Sequence, residues 1–143
     1  MSKRTVVILL VGAGLVLAAL APWLWRWQWH WESAPSIDAA RFLVALGEHA
    51  DAADMAGKLI QAADDQANDI YNAACILARC VRLAERDKER AQNYADRAVA
   101  ALRQAVQNGY KDLAHMKQDK DLDPVRSHPE FQKLLRELEA KDK

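Results

Sequence analysis

Four acidic side chains stand at Asp119, Asp121, Asp123 and Glu130. Their spacing matches ligand positions 1, 3, 5 and 12 of an EF-hand calcium loop. The position that needs glycine for a sharp turn is Pro124, whose φ is fixed negative, and the usually apolar eighth position is Arg126. The pattern therefore predicts a turn of self-bonding aspartates ahead of a last helix, not a calcium site. Cys75 and Cys80 lie five apart in a helical stretch, roughly 8 Å between Cα atoms and on different faces, too far for a disulfide. They are read as small buried apolar residues. His30, His49, His115 and His128 make no ligand pair, and His49 is expected to pack at a helix crossing. Asp64-Asp65 reads as a solvated turn at a helix end. There is no Gly-x-Ser-x-Gly elbow and no His-Glu-x-x-His. The chain is expected to be no enzyme, with no metal and no cofactor.

The elements that must carry these residues are helices. Half the chain is apolar, and it holds only five Gly and four Pro among 143 residues, too little turn punctuation for a sheet protein. From Glu32 onward all 20 acidic residues stand against 17 basic ones. That excess of acid argues against a nucleic-acid partner.

Thr5 to Ala21 carries no charge, and residues 5–25 suffice to cross ~30 Å of hydrocarbon as one transmembrane helix. Trp23, Trp25, Trp27, Trp29 and Trp31 follow, and on a helix they would point all round, which suits an aromatic belt at the membrane interface. Lys3 and Arg4 precede the run and only Arg26 follows closely, so the N-terminus is expected in the cytoplasm and the remainder outside. Secretion after signal-peptide cleavage at Ala19-Leu20-Ala21 is the alternative; Pro22 in the first mature position opposes it. Gly14 and Ala18 form a small-xxx-small pair that could bring two such helices together.

Residues 1–32 are thus the cytoplasmic tip, membrane helix and Trp-rich segment, and 33–143 a helical repeat domain. Leu43, Leu46, Ala50, Ala53 and Ala56 recur at spacings of three and four, as do Ile70, Ala73, Ala74, Leu77 and Val81, and Ala95, Ala98, Leu102, Ala105 and Val106. Gly47 suits a turn between two helices, and Gly109 a helix C-cap. A TPR unit is 34 residues. At that interval Ile37 matches Tyr71, Phe42 matches Ile76 and Leu43 matches Leu77. In the second helix of each unit, Ala52, Ala56 and Leu59 share their spacing with Ala98, Leu102 and Ala105. This alignment requires about a dozen extra residues around 85–93. A degenerate helical bundle without TPR character is the rival. Ser127 to Glu130 is a capping-box pattern that would start a final helix. Phe131, Leu134, Leu135 and Leu138 would form its inner face, and Glu130, Lys133, Arg136, Glu137 and Lys141 a polar outer face. The expected fold class is all-α: a membrane helix, TPR-like antiparallel hairpins and a capping helix.

The stretch 68–141 resembles the C-terminal TPR-like region of large bacterial transmembrane serine/threonine protein kinases. The resemblance rests on Tyr71-Asn72-Ala73-Ala74-Cys75, Ala78-Arg79-Cys80, Tyr94-Ala95-Asp96-Arg97-Ala98, Leu102-Arg103-Gln104-Ala105, Gly109-Tyr110, and Asp121-Leu122-Asp123-Pro124 with Arg126, Pro129 and Phe131. In that family a kinase domain precedes the membrane helix. Here no Gly-rich phosphate loop, His-Arg-Asp or Asp-Phe-Gly is present. The resemblance implies the repeat module and not the activity, either as a stand-alone module or as the extracytoplasmic half of such a kinase.

In TPR arrays the first helix of each hairpin lines the concave face, which places Arg41, Asn68, Asn72, Cys75 and Arg79 in a peptide groove. Asn can hold a ligand backbone by two hydrogen bonds, and Arg can pair with a carboxylate. A protein or peptide partner is expected. Self-association, through Gly14/Ala18 or end-to-end stacking of repeats, is the competing expectation.

Overall fold

Helix α1 spans Ile37–Leu46 and α2 spans His49–Ala62. Gly47 ends α1 at φ 82°, in the left-handed region that a side chain disfavours. The Gly47 amide donates to Val44 O at 3.1 Å and the Glu48 amide to Leu43 O at 3.0 Å, the paired bonds of a Schellman motif. Gly109, at φ 103°, repeats the motif, its amide donating to Val106 O and that of Tyr110 to Ala105 O. A Cβ on Gly47 would meet no atom within 4 Å, so only backbone strain opposes alanine there. Gly47→Ala is expected to cost about 1 kcal/mol, read as a lower urea midpoint at unchanged slope. An unchanged midpoint would contradict this account of the turn.

The computed structural model describes residues 35–141. The membrane run 5–25, its tryptophans at 23, 25, 27, 29 and 31, and the Gly14/Ala18 pair lie outside the described residues. Among the described residues the fold is all-α, with no strand, and no helix is long and apolar enough to cross a membrane.

Helix α3 (Ala67–Leu83) is central, and α4 (Lys88–Gln107) folds back along it. Asp87 caps α4 by accepting the Arg90 amide at 3.0 Å. Each helix packs on the next, and α1 also reaches α3. Short links between helices that pack along one another make them antiparallel hairpins. Buried positions can be matched between the two hairpins at the intervals of the sequence alignment. Ala40 and Val44 are the buried residues of α1, and 34 positions on, Ala74 and Ala78 are buried in α3. Ala52, Ala53 and Ala56 are buried in α2, and Ala98, Val99 and Leu102, 46 positions on, are buried in α4. The two intervals differ by the dozen residues that the alignment requires. By these registers, about three of them lengthen α3, two the link and seven the start of α4.

Small residues let these helices approach closely. Ala52, Ala53 and Ala56 of α2 are fully buried, and Arg97 of α4 crosses to donate from Nη2 to Ala53 O at 2.8 Å. A Cβ on Gly57 would come within 3.2 Å of that nitrogen, which accounts for a glycine inside a helix. His49 sits at the same crossing, as its position suggested: its Nδ1 lies 3.2 Å from Tyr94 Oη and the rings meet edge to face at 5.8 Å.

The chain then forms a short helix α5 (Leu113–Gln118), a 3₁₀ turn (Lys120–Val125) and α6 (Pro129–Lys141). The 3₁₀ turn packs on α3 and α4, and α6 packs on α4 and α5. Phe131, Leu134 and Leu135 of α6 are buried. Its polar face is exposed, with Arg103 of α4 at 3.4 Å from Glu130 and 3.1 Å from Glu137, and Lys117 of α5 at 2.6 Å from Glu139.

Two local expectations are corrected. The capping box does not form: α6 begins at Pro129, so Ser127 lies one residue too early, and Glu130 turns to Arg103 instead. Proline at the first helical position supplies the start signal. Leu46 and Ala50 do not continue a buried face from Leu43 to Ala56. Leu46 is exposed, and α2 buries Ala52, Ala53 and Ala56. The periodicity was carried across Gly47, where the chain reverses and the helical phase is lost.

Candidate peptide-binding surface on α3

The middle of α3 is occupied by the chain's own C-terminal segment. Tyr71 stacks on Tyr110 with ring centroids 4.2 Å apart and planes 3° off parallel, and His115 tilts against it at 5.7 Å. The Tyr71 hydroxyl donates to Asp119 Oδ2 at 2.8 Å, and the Cys75 thiol donates to the same oxygen at 3.6 Å. The other carboxylate oxygen accepts the Asp121 amide at 2.9 Å, the Asx-type turn expected of this aspartate run. Arg126 clamps the turn from beneath, donating to Lys117 O at 2.6 Å and Asp119 O at 2.9 Å, while pairing with Asp123 at 2.8 Å.

The electrostatics follow from this geometry. Burial alone would raise the Asp119 carboxyl, but donation from Tyr71, the Asp121 amide and Cys75, with His115 nearby, holds it below the ordinary carboxylate range. Burial, then the Asp119 acceptor, pushes the Tyr71 hydroxyl up. Burial, then the Asp119 charge, pushes the Cys75 thiol well up. Burial carries Cys80 up to about 11 against the pull of Arg97 and Arg79. An ionised carboxylate among neutral donors is a holding arrangement. Neither partner is poised to exchange a proton near neutral pH, and both thiols are free, buried and protonated.

Two clefts open on either side of this closed centre. One, of about 280 Å³, lies among Pro35, Ile37, Leu59, Ala62, Asp69 and Asn72. The other, of about 400 Å³, lies among Val44, Arg79, Arg82, Leu83, Lys120, Asp121 and Asp123. Arg79 is held loosely by Asp121 at 3.9 Å. Asp123 is taken by Arg126, which leaves Arg82 and Lys120 without an ion-pair partner among the described residues. The five groove residues read from the sequence therefore separate. Asn72 borders the first cleft and Arg79 the second. Cys75 is buried beneath Asp119. Asn68 is exposed away from both, and Arg41 is exposed on α1, 3.6 Å from Asp38. Sequence reasoning missed Arg82, which follows Arg79 by three on the same helix and was findable by spacing. It also missed Lys120, and it read Asp119 only as a turn residue, because its bond to Tyr71 on α3 spans 48 residues and leaves no local signal. Among the described residues no cluster of three or more His, Cys, Asp or Glu could hold a metal ion.

Comparison with protein-family models, curated proteins and solved structures gives no match.

Proposed function

We propose that the chain is a membrane-anchored, TPR-like protein–protein interaction module with no catalytic activity of its own. Residues 5–25 hold it in the bilayer with the N-terminus in the cytoplasm, and the repeat domain is displayed on the other side. The observation that carries the repeat half is the recurrence of buried positions from α1 to α3 at 34 residues, the length of a TPR unit. Support for binding comes from the clefts along α3. Asn72 offers amide donors and an acceptor at one. Arg79, Arg82 and Lys120 offer cationic donors at the other, beside the apolar Val44 and Leu83. This chemistry suits an extended peptide carrying a carboxylate and an apolar side chain. The resemblance to the kinase repeats supports the architecture and leaves the partner open.

The test is selection of peptides from a random display library against the full chain in phosphatidylcholine nanodiscs. Enriched peptides should bind at least tenfold more weakly to Asn72→Ala and Arg82→Ala variants of unchanged helical content. No enrichment, or peptides indifferent to both substitutions, would count against the reading. The anchor is tested separately by vesicle flotation. The chain should float, and Val11→Arg with Leu15→Arg should abolish this, since each charge costs ~2.5–3.5 kcal/mol at mid-bilayer.

A further inference from the structure

The cationic cleft carries a carboxylate of its own where a ligand's carboxylate is needed. Asp121 Oδ1 lies 3.9 Å from Arg79 Nε, about 1 Å beyond the length of a charge-assisted hydrogen bond. This is the one ion pair of either side chain among the described residues, and neither side chain makes a hydrogen bond there. Both stay open to solvent, 36% and 49% exposed. Arg82 and Lys120 line the same cleft with no carboxylate of their own, next to the apolar Val44 and Leu83.

The turn does not depend on this loose contact, because its backbone is fixed from other directions. Asp119 accepts the Asp121 amide at 2.9 Å and the Tyr71 hydroxyl at 2.8 Å. Arg126 holds the carbonyls of Lys117 and Asp119, and Leu122 and Val125 are buried in the core. The Asp121 side chain can therefore leave Arg79 while the main chain stays in place. Asp123, the other acid of the cleft, is not free to trade in this way. Its carboxylate accepts from Arg126 at 3.0 Å and 2.8 Å.

We propose that Asp121 is an internal competitor for this cleft: it holds Arg79 at rest, and a bound peptide's carboxylate takes its place. The inference rests on the reading of the cleft as a carboxylate site. The exchange swaps one carboxylate for another at Arg79, so a ligand gains little from that residue alone. The net gain comes from the unpaired Arg82 and Lys120 and from apolar contact with Val44 and Leu83. Asp121 thereby keeps the cleft selective against bare anions, which find Arg79 already taken and have no side chain to add.

The experiment is a titration of the full chain, labelled with nitrogen-15 arginine in phosphatidylcholine nanodiscs, with N-acetyl-leucine at constant ionic strength. This probe carries one carboxylate and one apolar side chain. The Arg79 Nε resonance, assigned by Arg79→Lys, reports binding. Asp121→Asn keeps the side-chain size and removes the charge. It should tighten binding about three- to fivefold, the worth of an exposed ion pair. In an Arg79→Gln background, followed at Arg82 Nε, the same substitution should leave the affinity nearly unchanged. An equal gain in both backgrounds would mean that Asp121 acts only through its long-range field, and would overturn the proposal. Unchanged or weaker binding on Asp121→Asn overturns it as well. Arg82→Ala separates this inference from the reading beneath it. Binding that Arg82→Ala weakens but Asp121→Asn does not improve removes the competitor and leaves the carboxylate cleft standing. No response of Arg79 or Arg82 in any form overturns both. A chain that stays out of the nanodiscs is titrated in free solution by the same criteria, since the readout does not need the anchor.

Discussion

Phe131→Ala should lower the folding free energy by about 3–5 kcal/mol, the usual cost of deleting a buried aromatic ring and leaving a cavity. Phe131 is fully buried and is among the largest such side chains in the domain. It belongs to α6, which closes over α4 and α5, so its loss loosens the cap. Domains of this size hold only about 5–15 kcal/mol in total. The melting midpoint should fall by roughly 15 °C or more, and the urea midpoint should fall with it. Leu138→Ala, on the same helix but only half-buried, is the control and should cost well under half as much. Equal losses at the two positions would show that α6 does not close the core in this way.

Asp119→Ala is the second large effect. It removes the acceptor of the Tyr71 hydroxyl, the Cys75 thiol and the Asp121 amide together. Hydrogen bonds to a charged group contribute about 1.5–3 kcal/mol each, and the buried Tyr71 hydroxyl is left unpaired. A loss of about 3 kcal/mol at pH 7 is expected, allowing for incomplete additivity. The pH dependence has a definite sign. The folded state holds the Asp119 carboxyl below its ordinary value, so the unfolded state takes up a proton first as pH falls. The stabilisation is fully present above the unfolded pKa of ~3.9 and is lost as pH drops through the lower folded value. The gap between wild type and Asp119→Ala should be constant from pH 7 to about 5 and shrink below about 4. Urea titrations at a series of pH values read this directly. A gap that is flat across the acid range would mean that Asp119 is not held as an ionised acceptor.

Much of the helical framework was legible because local chemistry writes it. Gly47 and Gly109 announce helix ends, since only a left-handed residue closes the Schellman turn there. The match of Ile37, Phe42 and Leu43 to Tyr71, Ile76 and Leu77 is readable as a 34-residue spacing of large side chains, but it does not carry their burial: Phe42 is exposed where Ile76 is buried. The polar outer face of α6 and the buried Phe131, Leu134 and Leu135 follow from ordinary amphipathicity.

What failed was information that depends on distant partners. Phe42 and Leu46 read as core residues by type, but exposure depends on whether a neighbouring helix exists. Cys75 read as a groove residue from its place on α3, but a carboxylate 44 residues away covers it. The residues of the kinase-repeat resemblance prove to have structural work. Tyr71 and Tyr110 stack, Arg126 clamps the aspartate turn, and Leu122 and Phe131 fill the core. They specify how the C-terminal segment lies on α3, whereas the cleft residues Arg82 and Lys120 fall outside or between those motifs.

The most direct measurement of the central claim is amide hydrogen exchange of the full chain in nanodiscs, with and without the library-selected peptides. If α3 is the binding helix, peptide should slow exchange within residues 67–83 and in the adjoining turn at 119–123, and leave the outer faces of α2 and α4 unchanged. Protection confined to α2, α4 or α6, or no protection at saturating peptide, would contradict the assignment of α3 as the interaction surface.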